Sequence, residues 1–332
     1  MPDRDLTSYL LVPGPDDDLA ARLSAQVDQV AARRLASYRG AALPPPRRAP
    51  LAAARRALAA GPGGLVAACA DLDVRTCALA LADEPTVDAD AAATLIARAD
   101  RGAAFADDLP ITAALPTARL ATVDRNPVRH LEAHPDKAGN ALDWGGHAPA
   151  AWTAALTVAL EAIAAALPTL HAELAITLRR IVPVGFDGER HLSCSFREAP
   201  GLIYLSLHPD PLTLAEAVIH ETQHGKLNLV SWLAPLLDNP PDERVTSPAR
   251  PDLRPVHGVL LAAHAFVPVA ALHHRLAALA HPLARSPQFA RRQAQVTAGN
   301  AAALATLRDH ARPTAAGAPI LAAIAELHAR LA

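Results

Sequence analysis

The chain has 332 residues and nearly balanced charge, with 31 Lys and Arg against 33 Asp and Glu. It contains no basic block and no basic stripe interleaved with aromatic residues, so the pattern of a nucleic-acid-binding protein is missing. Its three cysteines are scattered and form no CxxC pair, which argues against a disulfide framework or a cysteine-based zinc site and favours a reducing cytoplasm.

The first half of the chain predicts helices. The N-terminus lacks the basic region and apolar core of a signal peptide, and no segment offers about 20 uncharged apolar residues in a row, so we expect neither export nor a membrane span. Residues 1–47 end in ALPPPRR, a stiff turn or linker. Ala/Leu-rich segments in 48–125, broken at GPGG, DEPTVD and DDLP, predict successive helices. Residues 126–149 lose the periodicity and predict a long surface loop, after which helices resume at 149–180.

The second half opens with short runs that carry β-branched and aromatic residues, namely RRIVPVGF, HLSCSF and GLIYLSLH. These runs predict two or three short antiparallel strands. Helices are expected after them, at about 211–228, 229–237, 256–284, 287–310 and 315–331. The predicted fold is α+β and predominantly α, with a mostly helical region 1–180 and a region 181–332 in which a small antiparallel sheet packs beside the first of these helices. One continuous domain is the alternative.

The first of these helices carries the sequence HETQH at residues 220–224. His220 and His224 are four positions apart, so both imidazoles leave the same face of the helix one turn apart and can bind one metal ion. Glu221 lies beside them. The apolar flanks and the preceding strand resemble the setting of the motif in zinc peptidases, where a sheet edge holds the substrate peptide.

A metal site of this kind needs a third ligand, and the residues leave more than one candidate. Glu243 has the separation from His224 that one group of zinc aminopeptidases uses, but it lies in a proline-rich, turn-like stretch, so we interpret the spacing as coincidence. His257 and His264 are seven positions apart, about 11 Å along one helix face, and do not easily bind the same ion. His264 lies in the apolar middle of its helix and is either a ligand or a hydrogen-bonded core histidine. His257 is expected to cap the helix or to contact a metal ligand without binding the metal itself.

The segment from 181 to 275 also carries a longer pattern: S-x-S before the strand GLIYLSL, then HETQHGKL, then RPDLRPVHGVL and AHAF. In this pattern the C-terminal half resembles the HEXXH-motif peptide-modification proteins found in biosynthetic clusters of ribosomal peptide natural products. The resemblance implies an Fe(II)- and 2-oxoglutarate-dependent oxygenase that hydroxylates a side chain, typically at Cβ, in a ribosomally made precursor peptide. By position it implies that His220, His224 and His264 bind the metal.

Further roles follow from this resemblance. Three protein ligands on an octahedral Fe(II) leave two positions for 2-oxoglutarate and one for O₂. The distal carboxylate of 2-oxoglutarate needs a cation, and we expect Arg254, or else Arg250, to bind it. Glu221 would then orient a ligand or contact the substrate.

The predicted substrate contacts lie next to the motif. Ser193, Ser195 and Tyr204 are in the strands before the helix, where a peptide could add as a further strand, and His257 joins them as a candidate contact.

Two other functions stay open. The first is a zinc peptidase in which Glu221 is the general base and either His264 or Glu243 is the third metal ligand. The second is a non-catalytic peptide-binding module.

Overall fold

A computed structural model describes most of the chain, namely residues 17–82, 84–101, 108–130, 141–186, 188–247 and 250–331. Of the described residues, 62% are helical and 11% lie in strands, which confirms the predicted α+β, predominantly α class. The centre of the predicted loop 126–149, residues 131–140, and the first 16 residues of the chain lie outside the described part.

Five helices form the N-terminal region: α1 (Asp17–Ser37), α2 (Pro45–Ala60), α3 (Gly64–Ala68), α4 (Leu72–Ala80) and α5 (Pro85–Arg101). The proline cluster that predicted a turn occupies the start of α2, where a proline costs no intrahelical hydrogen bond. Helix α4 begins at Asp71, whose carboxylate accepts hydrogen bonds from the backbone N–H groups of Asp73 and Val74 at 3.0 and 3.1 Å.

The sheet has five strands: β1 (Leu109–Pro110), β2 (Arg119–Leu120), β3 (Arg180–Phe186), β4 (Ser193–Ser195) and β5 (Leu202–Leu207). Their order is β1-β2-β3-β5-β4. Strand β5 pairs parallel with β3 and antiparallel with β4, and β2 pairs parallel with β3. The prediction of a purely antiparallel sheet is therefore wrong. Strand β5 inserts between its two predecessors, a placement that depends on long-range pairing rather than on the alternating runs themselves.

Helices α6 (Pro149–Ala166) and α7 (Pro168–Thr177) precede β3, and helix α8 (Pro211–Leu233) follows β5. Helix α8 carries HETQH and is a single helix, so the predicted break near residue 228 is wrong. It begins at Asp210, whose side chain accepts from the N–H of Leu212, and it continues because its interior contains no proline. Residues from both flanks of the motif belong to the core.

The proline-rich stretch after α8 forms a second small sheet, the hairpin of β6 (Arg244–Ser247) and β7 (Arg250–Pro255). The sequence predicts a turn-like stretch here, and this prediction is wrong because prolines at strand ends cannot be distinguished in sequence from prolines in loops. Helix α9 (Val256–Ala278) follows directly. A short 3₁₀ turn (Pro282–Arg285) and helices α10 (Pro287–His310) and α11 (Gly317–Leu331) complete the described chain.

Buried polar contacts join the N-terminal helices to the sheet. Arg180 of β3 bonds Asp73 at 2.7 Å and Asp108 at 2.8 Å, and all three side chains are almost fully buried. Arg75 of α4 donates to the carbonyl of Pro200 at 2.7 Å. The contact between Arg75 and Pro200 crosses the boundary between the predicted regions 1–180 and 181–332, so the two regions share a buried hydrogen bond.

In the described part of the chain, two helices, α6 and α9, are long and apolar enough to cross a membrane by length and composition alone. In α9, 72% of the apolar window is buried inside the protein, against 39% in α6. The core helix of a soluble protein has this character, so the two helices are weak grounds for a membrane span.

Candidate functional site

The two histidines of the motif lie side by side on α8. Their ring centroids are 4.3 Å apart and the rings stand at 76° to each other. Both side chains are half-buried. The i, i+4 spacing therefore produces the expected pair of neighbouring imidazoles, the arrangement in which two nitrogens can bind one metal ion.

Helix α9 packs along α8 and brings His264 into the same part of the protein. Phe266 of α9 lies against His220, with ring centroids 4.4 Å apart. His264, two positions earlier, is 1% exposed. Among the residues that the structure describes, no three His, Cys, Asp or Glu side chains form a group that could hold a metal ion. Two imidazoles are thus in place, and His264 as the third ligand stays a prediction.

His257, in the first turn of α9, is electrostatically coupled to the motif. Burial lowers the pKa of His257 below its usual value, and the charges of Arg197 and His224 lower it further. The imidazole is therefore held in its neutral form. His257 lies at the start of the helix but outside its N-cap, which is Pro255, and it lies within electrostatic range of His224.

Glu221 is turned towards the sheet. Its Oε2 accepts a hydrogen bond from the Ser195 hydroxyl of β4 at 2.7 Å, and the residue is only 3% exposed. Ser195 was predicted as a substrate contact, and the structure places it in direct contact with the motif glutamate. Ser193 is half-buried on the same strand, which is the last in the sheet order, while Cys194 between them points into the core.

Tyr204 is a core residue in this structure. Its side chain has no exposed surface, and its hydroxyl donates to Oδ1 of Asp124 at 2.9 Å. Burial and the Asp124 carboxylate raise the pKa of Tyr204 well above its usual value, so the hydroxyl stays protonated as a donor. Tyr204 belongs to β5, which lies between β3 and β4 in the sheet. Its side chain therefore does not reach a surface along which a peptide could bind.

The two arginines proposed for 2-oxoglutarate lie in the hairpin strand that leads into α9. Arg254 is about one-third exposed, and its Nε bonds Oδ2 of Asp252 at 3.1 Å. An incoming carboxylate would compete with Asp252 for this guanidinium. Arg250 begins β7, and its side chain lies outside the described part of the structure.

Glu243 has other partners. Its Oε2 bonds the Arg312 guanidinium at 2.7 Å and accepts from Asn239 at 3.1 Å. These contacts join the loop before β6 to the segment after α10. They support the interpretation that the spacing of Glu243 from the motif is coincidental.

A buried ion pair lies directly behind the motif. Lys226, two positions after His224, pairs with Glu173 of α7, and the two side chains are 1% and 4% exposed. Burial lowers the pKa of Lys226 and raises that of Glu173, while each charge opposes the effect of burial on its partner. The pair links the motif helix to α7 through the protein interior.

Sequence reasoning missed a cationic surface at the far end of α8. The guanidinium of Arg197, the second residue after β4, lies 4.5 Å from the ring centroid of Trp232, and the Trp232 Nε1–H donates to the Arg197 carbonyl at 2.8 Å. These residues are 35 positions apart, and neither belongs to a recognisable motif. The only sequence feature that could have indicated this surface is the presence of one cationic and one aromatic residue.

Comparison with known proteins adds no assignment. No protein-family model matches the chain, and no curated protein matches it. The fold and the site define an α+β protein whose HExxH helix is packed between a small mixed sheet and a second long helix that carries His264. The resemblance to HEXXH-motif peptide-modification proteins therefore stays a prediction from the sequence.

Proposed function

We propose that the protein is an Fe(II)- and 2-oxoglutarate-dependent oxygenase that hydroxylates a side chain, at Cβ, of a ribosomally made precursor peptide in the cytoplasm. The observation that favours this over peptide hydrolysis is the position of Glu221. A zinc peptidase uses this glutamate as the base that activates metal-bound water, so its carboxylate must reach that water. Here the carboxylate is nearly buried and accepts from Ser195, which suits a reaction that needs no such base.

The two neighbouring imidazoles suit a metal ion, and His220 and His224 would hold it. We assign His264 as the third ligand because the resemblance of the sequence implies it, and because α9, which carries His264, packs against α8. When bound, iron would activate O₂ as the oxidant, and 2-oxoglutarate would be the co-substrate that supplies two of its four electrons, so that a C–H bond could be hydroxylated; protein side chains lack this chemistry. Phe266 packs against the His220 ring at an angle of 55° and would restrain the orientation of this ligand.

The remaining residues would bind and orient. Arg254, with Arg250 as the second candidate, would hold the distal carboxylate of 2-oxoglutarate, because a guanidinium fork matches a carboxylate. The peptide would lie along β4, with Ser193 and Ser195 near it. Glu221 would fix Ser195, and through it the position of β4 relative to the metal ligands.

The test needs no peptide. The purified protein is reconstituted anaerobically with Fe(II), 2-oxoglutarate is added, and the weak visible charge-transfer band of bidentate 2-oxoglutarate on iron is recorded. We expect the band in the wild type and in Glu221→Gln and Glu243→Ala. We expect its loss in His264→Ala and a higher 2-oxoglutarate requirement in Arg254→Ala. His310→Ala, which removes an exposed histidine at the end of α10, is the matched control.

Two outcomes would contradict the proposal. Tight zinc binding without the band, together with peptide cleavage that Glu221→Gln abolishes, would establish the zinc peptidase. Failure to bind either Fe(II) or Zn(II) would favour the non-catalytic peptide-binding module.

A further inference from the structure

Two arginines from distant parts of the chain meet on the ring of Trp232. The guanidinium carbons of Arg197 and Arg34 lie 4.5 and 5.3 Å from its centroid. Arg34 belongs to the last turn of α1, and Trp232 lies at the end of α8. We call these three residues the arginine–tryptophan patch. Cation–π contacts hold both cations over one indole, which reduces their freedom before any ligand binds.

Within the described chain, no carboxylate pairs with either arginine of the patch. Arg34 donates to the backbone carbonyl of Leu81 at 2.8 Å, a neutral acceptor. Arg197 is exposed, and the hydrogen bond from Trp232 reaches its backbone rather than its side chain. Both positive charges lie close to the same ring, so they repel each other, and an anion bound at either guanidinium would reduce this repulsion. The patch therefore has the charge of a carboxylate site.

The position of the patch connects it to the motif. Trp232 lies eight positions after His224 on the same helix, a distance of about 12 Å along the helix axis. Arg197 lies two positions after Ser195, whose hydroxyl bonds Glu221. A peptide lying along β4 would run from the motif towards the patch, and about four extended residues would cover that distance.

We propose that the arginine–tryptophan patch binds the carboxylate of an acidic side chain in the peptide substrate, about four residues from the residue that reaches His220 and His224. That the bound peptide is a substrate rests on the proposed function. That the patch prefers a carboxylate rests on the residues of the patch alone. A guanidinium fork accepts a carboxylate in a bidentate arrangement, and the indole beneath it keeps the fork in place.

The experiment measures binding without metal or 2-oxoglutarate. A fluorescein-labelled decapeptide of alternating Ser and Glu is titrated with metal-free protein, and anisotropy gives its affinity relative to the same peptide with Gln for Glu. We expect the Glu peptide to bind at least fivefold more tightly at about 0.05 M salt, and to lose this advantage at about 0.5 M, where charges are screened.

Variants then assign the effect to the patch. Arg197→Gln should weaken Glu-peptide binding about fivefold, and the double change with Arg34→Gln more than about tenfold. Arg197→Lys keeps the charge without the fork and should fall between wild type and Arg197→Gln. Arg291→Gln removes an exposed charge of α10 outside the patch and should leave binding unchanged. Circular dichroism confirms that each variant is folded.

Equal binding of the Glu and Gln peptides would overturn the proposal, and so would wild-type affinity in the folded double variant. Neither result would bear on the iron-dependent band, because the binding assay contains no iron. Conversely, if the charge-transfer band is absent but the protein still prefers the Glu peptide, the proposed oxygenase function is refuted and the proposed carboxylate site is supported.

Discussion

Removing Glu173 tests how the motif helix is held in place. In Glu173→Gln, the nearly buried Lys226 loses its counter-charge. An unpaired ammonium in the interior costs several kcal/mol, but the protein can limit this cost by releasing the proton. From an ordinary lysine pKa of 10.5, deprotonation of Lys226 at pH 7 costs about 4.8 kcal/mol. The buried charge therefore cannot destabilise the variant by more than about this amount. We expect a loss of about 3–5 kcal/mol in the free energy of unfolding.

The cost of deprotonating Lys226 also determines how the stability loss of Glu173→Gln depends on pH. In the variant, Lys226 would be neutral when folded and protonated when unfolded, so the unfolded state binds more protons and stability rises with pH towards the ordinary lysine pKa. At pH 9 the cost of deprotonation falls to about 2 kcal/mol. Urea unfolding of wild type and variant at pH 7, 8 and 9 measures this, and the difference between them should shrink as pH rises.

A matched double variant separates charge from packing. Replacing both partners with apolar residues, as Glu173→Leu with Lys226→Met, removes the unpaired charge and should recover most of the lost stability. A Glu173→Gln variant as stable as the wild type at pH 7, or one whose deficit grows with pH, would refute the assignment of a buried charged pair.

Three further predictions concern single contacts. Ser195→Ala leaves the buried Glu221 carboxylate without its donor and should cost about 1–3 kcal/mol in chemical denaturation, while a loss below about 0.5 kcal/mol would contradict the hydrogen bond. Gly317→Ala would place a methyl group inside van der Waals contact with the carbonyl oxygen of Leu236 and should lower stability by about 2–3 kcal/mol in the same assay; an unchanged midpoint would exclude this close approach. Burial raises the pKa of Glu216, but hydrogen bonds from His273 and Arg292 outweigh it and the net pKa is lowered. The stabilisation by Glu216 should therefore be present above about pH 4.5 and lost as pH falls through the lower folded pKa, so that the stability gap to Glu216→Gln closes in acid; a constant gap would contradict this.

The sequence predicted the elements better than their arrangement. Apolar periodicity and alanine content identified most helices, and β-branched runs identified β3, β4 and β5. The sheet was predicted antiparallel and is mixed, and the hairpin of β6 and β7 was interpreted as a turn-like stretch. Strand partners are chosen by contacts between segments far apart in the chain, and short runs rich in proline carry little information about them.

By itself the sequence determined the neighbouring imidazoles of His220 and His224, because helix geometry is local and places residues four apart on one face. It also placed a strand before the motif helix. Tertiary structure decided which way Glu221 faces, and that two arginines meet on Trp232. These contacts depend on how each helix is rotated about its axis when it packs on its neighbours, and that rotation is set by the whole core rather than by any five-residue motif.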